Sequence, residues 1–223
     1  MDAMTRALIA LTSHRQLGNT GRETGFYVGE AAEPWEVFRA AGWDVDLVSV
    51  AGGQPPLDGR DENDRTQNDF LATAGVENTP KAAEVDPSGY DVVVFAGGHG
   101  TMWDFPDDPD LARIAASIYE RGGVVAAVCH GPSALVNLKL SDGSYLVAGK
   151  RVAGFTNDEE NAVGLSDEVP FLLADRLTAA GATHVPAPNF TEHVVTDGRL
   201  VTGQNPQSAR AMAEAVVKAV HSA

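Results

Sequence analysis

The chain has 223 residues, 43% hydrophobic and 21% charged, the balance of an ordinary globular protein long enough to bury a substantial core. Its 31 acids against 16 bases give a net charge of -15, which disfavours nucleic acid and anionic membranes as partners. A single cysteine excludes an intramolecular disulfide and suits a reducing compartment. No stretch approaches ~18 consecutive apolar residues, so no membrane span is expected.

The apolar run at residues 7–11 reads as a first strand. Lying so close to Met1, it is too short for the apolar part of a signal peptide, and the cytoplasm is the expected location. Residues 13–24 are polar and Gly-rich, hence a loop. The spacing of Val28, Ala32, Trp35, Val37 and Phe38 predicts a helix over 25–41, stopped by Gly42. A second strand follows at 44–50, then a long Gly-, Pro- and Asp-rich loop to residue 64 and a short helical piece at 68–73. The third strand, 90–96, ends in Gly97-Gly98-His99-Gly100.

Pro109 opens a helix that runs to Arg121, and 123–128 is a fourth strand. A further strand is expected at 151–156, a helix at 170–180 closed by Gly181, a hairpin at 194–202 turning on Asp197-Gly198, and a last helix at 207–221. Alternating strands and helices point to an α/β fold with a mostly parallel sheet and helices on both faces. No repeat or linker divides the chain, so residues 1–223 read as one domain.

The β-branched run before Cys129 stops at Cys129 itself, and His130-Gly131-Pro132 turns the chain toward a helix-compatible segment. A side chain at such a strand-to-helix corner stands at the carboxyl edge of the sheet. A helix N-terminus and an adjacent imidazole both favour thiolate, so Cys129 reads as an activated nucleophile with a depressed pKa. His130 is the natural base. The backbone N–H groups of Gly98 and His130, at two strand ends, are placed to stabilise an oxyanion. His99 reads as a packing or capping residue. Trp35, Trp43 and Trp103 read as core or interface aromatics. His184, His193 and His221 are scattered and no paired-Cys or HExxH spacing exists, so no metal and no other cofactor is expected.

The ordered set of Glu30, GGHG at 97–100, CHGP at 129–132, GFT at 154–156 and TGQNP at 202–206 resembles the ThiJ/PfpI superfamily, relatives of the class I glutamine amidotransferases. The likeness runs over nearly the whole chain. The long segment between the second and third strands is similar to the heat-shock chaperone and glyoxalase III branch. The resemblance implies a flavodoxin-like three-layer sandwich, a homodimer, and conversion of a small dicarbonyl, methylglyoxal, to D-lactate without glutathione. It also implies that Glu30 lies against the Cys129 sulfur as a protonated acid that exchanges protons with the substrate. In some branches an Asp after the Gly-Phe motif orients the histidine, but here that position is Asn157. The chaperone-type branch uses a Glu three residues later, here Glu160, with Asp158 and Glu159 as close rivals. The same Cys-His pair could serve a peptidase or deglycase, or Cys129 could act as the redox sensor of a stress chaperone.

Overall fold

Ten strands and seven α-helices are present in the computed structural model, which describes residues 4–222. Residues 1–3 and 223, part of the 1–223 domain and of the N-terminal reading above, lie outside the described residues. In chain order the elements are β1 (Arg6–Leu11), β2 (Phe26–Tyr27), α1 (Val28–Ala40), β3 (Asp44–Ser49), β4 (Leu57–Asp58) and α2 (Arg65–Thr73). Then come β5 (Val92–Phe95), α3 (Thr101–Asp104), α4 (Pro109–Glu120), β6 (Val124–Val128), β7 (Arg151–Val152) and α5 (Asn157–Ala162). The chain ends with α6 (Leu173–Ala179), β8 (Thr183–His184), β9 (Val194–Asp197), β10 (Leu200–Gly203) and α7 (Ala209–His221).

The main sheet has the order β3-β1-β5-β6-β10-β9, parallel except for the antiparallel edge strand β9. Its five parallel strands, counted along the chain, lie in the order 2-1-3-4-5, which is the flavodoxin-like arrangement. Every residue of β5 (VVVF) and β6 (VVAAV) is buried. Strands covered on both faces read as continuous apolar runs, which is why both are visible in the sequence. Helices α1 and α7 pack together over one face, and α4 covers β5 and β6 from the other. Pro109 is in the first turn of α4, and the Asp108 side chain accepts from the amides of Asp110 and Leu111, which fixes that helix start. Trp35 and Trp43 are buried in the core, while Trp103 is only partly buried and stacks on His14 at 5.0 Å.

Several expected boundaries move. The helix expected from residue 25 starts at Val28, because Phe26 and Tyr27 pair with Leu57 and Asp58 in a two-stranded parallel ladder. The strand expected at 151–156 is only Arg151–Val152, and it pairs with β8 outside the main sheet. The hairpin turns on Gly198 and Arg199, with Asp197 opposite Leu200. The segment after Cys129 is a five-residue 3-10 turn, Gly131–Leu135, and not an α-helix. A Cβ on Gly131 would lie 2.1 Å from the Phe95 carbonyl, so that turn is pressed directly against the end of β5.

Candidate active site

The ends of β5 and β6 meet beside the point where the strand order reverses, the place where ligands bind in open α/β sheets. Cys129 follows β6 with φ +61, a left-handed conformation that side chains other than glycine rarely adopt. Two hydrogen bonds hold it there. Its amide donates to the Gly203 carbonyl at 3.0 Å, and its carbonyl accepts from the Phe155 amide at 2.9 Å. A strained corner persists only when neighbours determine it in this way. The buried Thr101 hydroxyl lies 2.8 Å from the Gly98 carbonyl and 3.0 Å from the His130 carbonyl, tying the GGHG loop to the Cys-His corner.

The His130 Nδ1 is 3.4 Å from the Cys129 sulfur, and its Nε2 is 2.6 Å from Glu160 Oε2. Burial alone would raise the Glu160 carboxyl, but the two neighbouring imidazoles, His130 first, outweigh it and hold it at about 2. An ionised carboxylate only accepts hydrogen bonds, so His130 carries its proton on Nε2 and turns a lone pair toward the thiol. Burial, and after it the neighbouring His99, holds the His130 imidazole down at about 4. The resting pair is therefore a carboxylate with a neutral imidazole, a base ready to take a proton.

Glu30 lies in the first turn of α1 with no solvent exposure. Pro34, four residues on, has no N–H to give the Glu30 carbonyl. The helix dipole favours an anion here by at most ~2 kcal/mol. Burial wins, pushing the carboxyl up to about 8 although the Cys129 thiol and the Gly97 amide pull it down. Those two groups lie close, but neither carboxyl oxygen reaches a partner at hydrogen-bonding geometry. At neutral pH Glu30 is a carboxylic acid beside the sulfur.

The thiol departs from the sequence reading. Burial, then the Glu30 carboxyl, pushes Cys129 well above its ordinary value rather than below it. Both expected causes of depression are missing: the imidazole is neutral, and the following turn is too short to present a helix dipole.

The three acids after the GFT motif separate cleanly. Asp158 is exposed. Glu159 is fully buried, and its Oε1 accepts from the Phe190 amide at 2.8 Å, Asn205 Nδ2 at 2.9 Å and Gln204 Nε2 at 3.1 Å. Its Oε2 accepts from the Thr156 amide at 3.0 Å, and the Thr156 hydroxyl accepts in return from the Glu159 amide. This capping box starts α5 and delivers Glu160, one residue later, to His130. The Thr-x-x-Glu spacing of Thr156 and Glu159 is a signal that the strand reading of 151–156 passed over.

A pocket of about 320 Å³ opens over Cys129, walled by Tyr27, Gly98, His99, His130, Phe155 and Phe190 among others. Among the described residues, neither the Gly98 amide nor the His130 amide donates to a protein acceptor. The structure thus brings Glu30, Gly98, Cys129, His130 and Glu160 together. Sequence reasoning missed Tyr27, which β2 carries to the pocket wall, and Phe190, which adopts φ +55 at its rim. It also missed the contact of His99 Nε2 with Glu160 Oε1 at 2.7 Å. His99, His130 and Glu160 are the one trio of potential metal ligands among the described residues, with donor atoms within 4.8 Å of one another. Both Glu160 oxygens already accept from the two imidazoles, so the trio is closed by hydrogen bonds.

Residues 23–219 match the sequence profile of the DJ-1/PfpI family. The chain belongs to that family. It is 40% identical to glyoxalase 3 of Candida albicans over 97% of this chain and 98% of that protein. It is 38% identical to the glutathione-independent glyoxalase HSP31 of Saccharomyces cerevisiae, over 95% of this chain and 96% of that protein. The crystal structure of glyoxalase III from Candida albicans superposes with a TM-score of 0.89 at 35% identity, covering 97% of each chain.

Proposed function

We propose that this family member is a glutathione-independent glyoxalase that converts methylglyoxal to D-lactate. The observation that carries the reading is the Cys129 sulfur 3.4 Å from a neutral His130 Nδ1, with a solvent-excluded Glu30 acid beside it and a small pocket above. Full-length similarity to glyoxalases of Candida albicans and Saccharomyces cerevisiae supports it.

The proposed steps balance without an external oxidant. The Cys129 sulfur bonds to the aldehyde carbon, and its proton passes through His130 Nδ1 to the aldehyde oxygen, giving a hemithioacetal. His130 then takes the proton from the former aldehyde carbon, while Glu30 gives its proton to the ketone oxygen, giving an enediol. His130 returns its proton to the second carbon and the first hydroxyl returns one to Glu30. The first carbon is now oxidised to a thioester and the second reduced to an alcohol. Water, deprotonated by His130, attacks the thioester; the proton goes to the departing sulfur and lactate is released. Glu160 orients the imidazole and stabilises its cation in each transfer. The free amides of Gly98 and His130 are assigned to the substrate oxygen.

Burial of the thiol favours this reading over a peptidase, because Cys129 is 4% exposed beneath a pocket of about 320 Å³, a volume that suits a small dicarbonyl better than a polypeptide. An extended apolar surface, the mark of a chaperone, is not seen among the described residues. Their exposed large hydrophobic side chains are Met4, Val163 and Phe190, and the last two line the pocket. No described helix is long and apolar enough to cross a membrane. A cytoplasmic homodimer completes the proposal, and sedimentation of the purified protein tests the dimer. The deciding experiment is methylglyoxal without glutathione, assayed for D-lactate with the parent and with Cys129→Ala. D-lactate from the parent alone supports the reading; equal production by both ends it.

A further inference from the structure

The GGHG motif leaves one side chain without a role in these steps. His99 stands in the loop between β5 and α3, with its ring centroid 4.0 Å from that of His130 and its plane at 78° to the Phe155 ring. Its Nε2 is 2.7 Å from Glu160 Oε1, while His130 Nε2 is 2.6 Å from Glu160 Oε2. One buried carboxylate therefore serves two imidazoles, one per oxygen. Since the carboxylate can only accept, both rings must donate from Nε2.

We propose that His99 is a positioning residue: its Nε2–H pins the second oxygen of Glu160, and so fixes the carboxylate that aims His130 at Cys129. The terminal torsion of a glutamate is soft, and one donor does not set it. A second donor on the other oxygen does. Glu160 is 3% exposed, so water is a poor substitute for that donor. Without His99 the carboxylate would turn, or take up a proton, and either change releases the Nε2–H of His130. The ring could then present an N–H instead of a lone pair to the sulfur.

The titration of the site follows the same geometry. His130 is faced by Cys129 and, beyond the sulfur, Glu30; by Glu160 and Glu159 from α5; and by His99 from the GGHG loop. His99 lowers both His130 and Glu160. Its loss should raise both groups, so the acid limb of the rate profile should move to higher pH.

The inference rests on the glyoxalase reading, and the experiment separates the two. The parent, His99→Leu and His99→Gln are assayed with methylglyoxal across pH, with circular dichroism and melting curves to confirm folding. If the parent makes no D-lactate, the glyoxalase reading fails before His99 is tested. With an active parent, His99→Leu should lose kcat by roughly 10²-fold. Its KM should stay close to the parent's, and its acid limb should move to higher pH. His99→Gln, which returns an N–H at similar reach, should recover most of the kcat. Three results would overturn the proposal: unchanged kcat in His99→Leu, a rise in KM alone, which would make His99 a substrate contact, or a glutamine variant as impaired as folded His99→Leu. If His99→Leu does not fold, the glutamine variant decides, and a kcat as low as that of Glu160→Gln refutes the role.

Discussion

Glu30 and Cys129 meet across Gly97, and the missing side chain of that glycine makes the meeting possible. A Cβ there would lie 2.2 Å from Glu30 Oε2, 2.6 Å from the Val128 carbonyl and 3.0 Å from the Cys129 Cβ. The first atom belongs to a side chain, but the second is backbone and has nowhere to go. Gly97→Ala should therefore separate acid from thiol. The expected loss is ~10²-fold in kcat and about 1–3 kcal/mol in stability. Steady-state kinetics and urea unfolding measure the two. An alanine variant with parental activity would mean that the Glu30–Cys129 contact is not needed.

Glu30 also ties stability to pH. Its carboxyl titrates near 4.5 in the unfolded chain and near 8 in the fold. Below pH 4.5 the group is protonated in both states and its contribution is fully present. Between pH 4.5 and about 8 the unfolded chain ionises while the fold keeps its proton, so stability falls across that window. Glu30→Gln keeps the volume and cannot ionise. Relative to the parent it should gain stability from pH 5 to 8, on the order of a few kcal/mol. The same variant should have near-background turnover, because an amide cannot exchange a proton with the enediol. Denaturant melts at several pH values test the first claim. A parent-to-variant difference that stays flat with pH refutes it.

The thiol gives a separate test. Because burial and Glu30 raise Cys129, alkylation by iodoacetamide should show a midpoint above the free-cysteine value of about 8.5. In Glu30→Gln the midpoint should fall, since the Glu30 carboxyl, the largest cause after burial, is gone. A parental midpoint near 7 would restore the activated thiolate expected from the sequence.

That expectation shows where the sequence stops being legible. The buried runs of β5 and β6 announce themselves, because strands covered on both faces need apolar residues at every position. Cys129 is visible as the point where such a run breaks. The charge state of its surroundings is not visible, because it depends on how completely α1 and the two strand ends exclude water. The pairing of Phe26–Tyr27 with Leu57–Asp58 is likewise a tertiary event with no local pattern of its own. His99 and Glu160 are 61 residues apart, and only the fold shows that they touch. Of the three acids, by contrast, Glu159 could have been assigned from its capping-box spacing to Thr156.

The last prediction separates those adjacent acids. Glu160→Gln keeps the shape of the site but replaces the anion that orients His130, so kcat should fall to a level between the parent and the near-background His130→Ala. Glu159 touches none of the reacting atoms. Its Oε1 gathers three donors and its Oε2 a fourth, all from segments that frame the pocket. In Glu159→Gln one end of the amide must point N–H at a donor, leaving a buried group unsatisfied at a cost of about 1–3 kcal/mol. Stability should therefore drop more in Glu159→Gln than in Glu160→Gln. Well below its melting temperature, kcat of the Glu159 variant should stay near the parent's. KM is the parameter free to move, because Glu159 holds the Phe190 amide at the pocket rim. Paired urea titrations and kinetics on the two variants decide the matter. If Glu159→Gln loses kcat while Glu160→Gln keeps it, the roles given to these two residues are reversed.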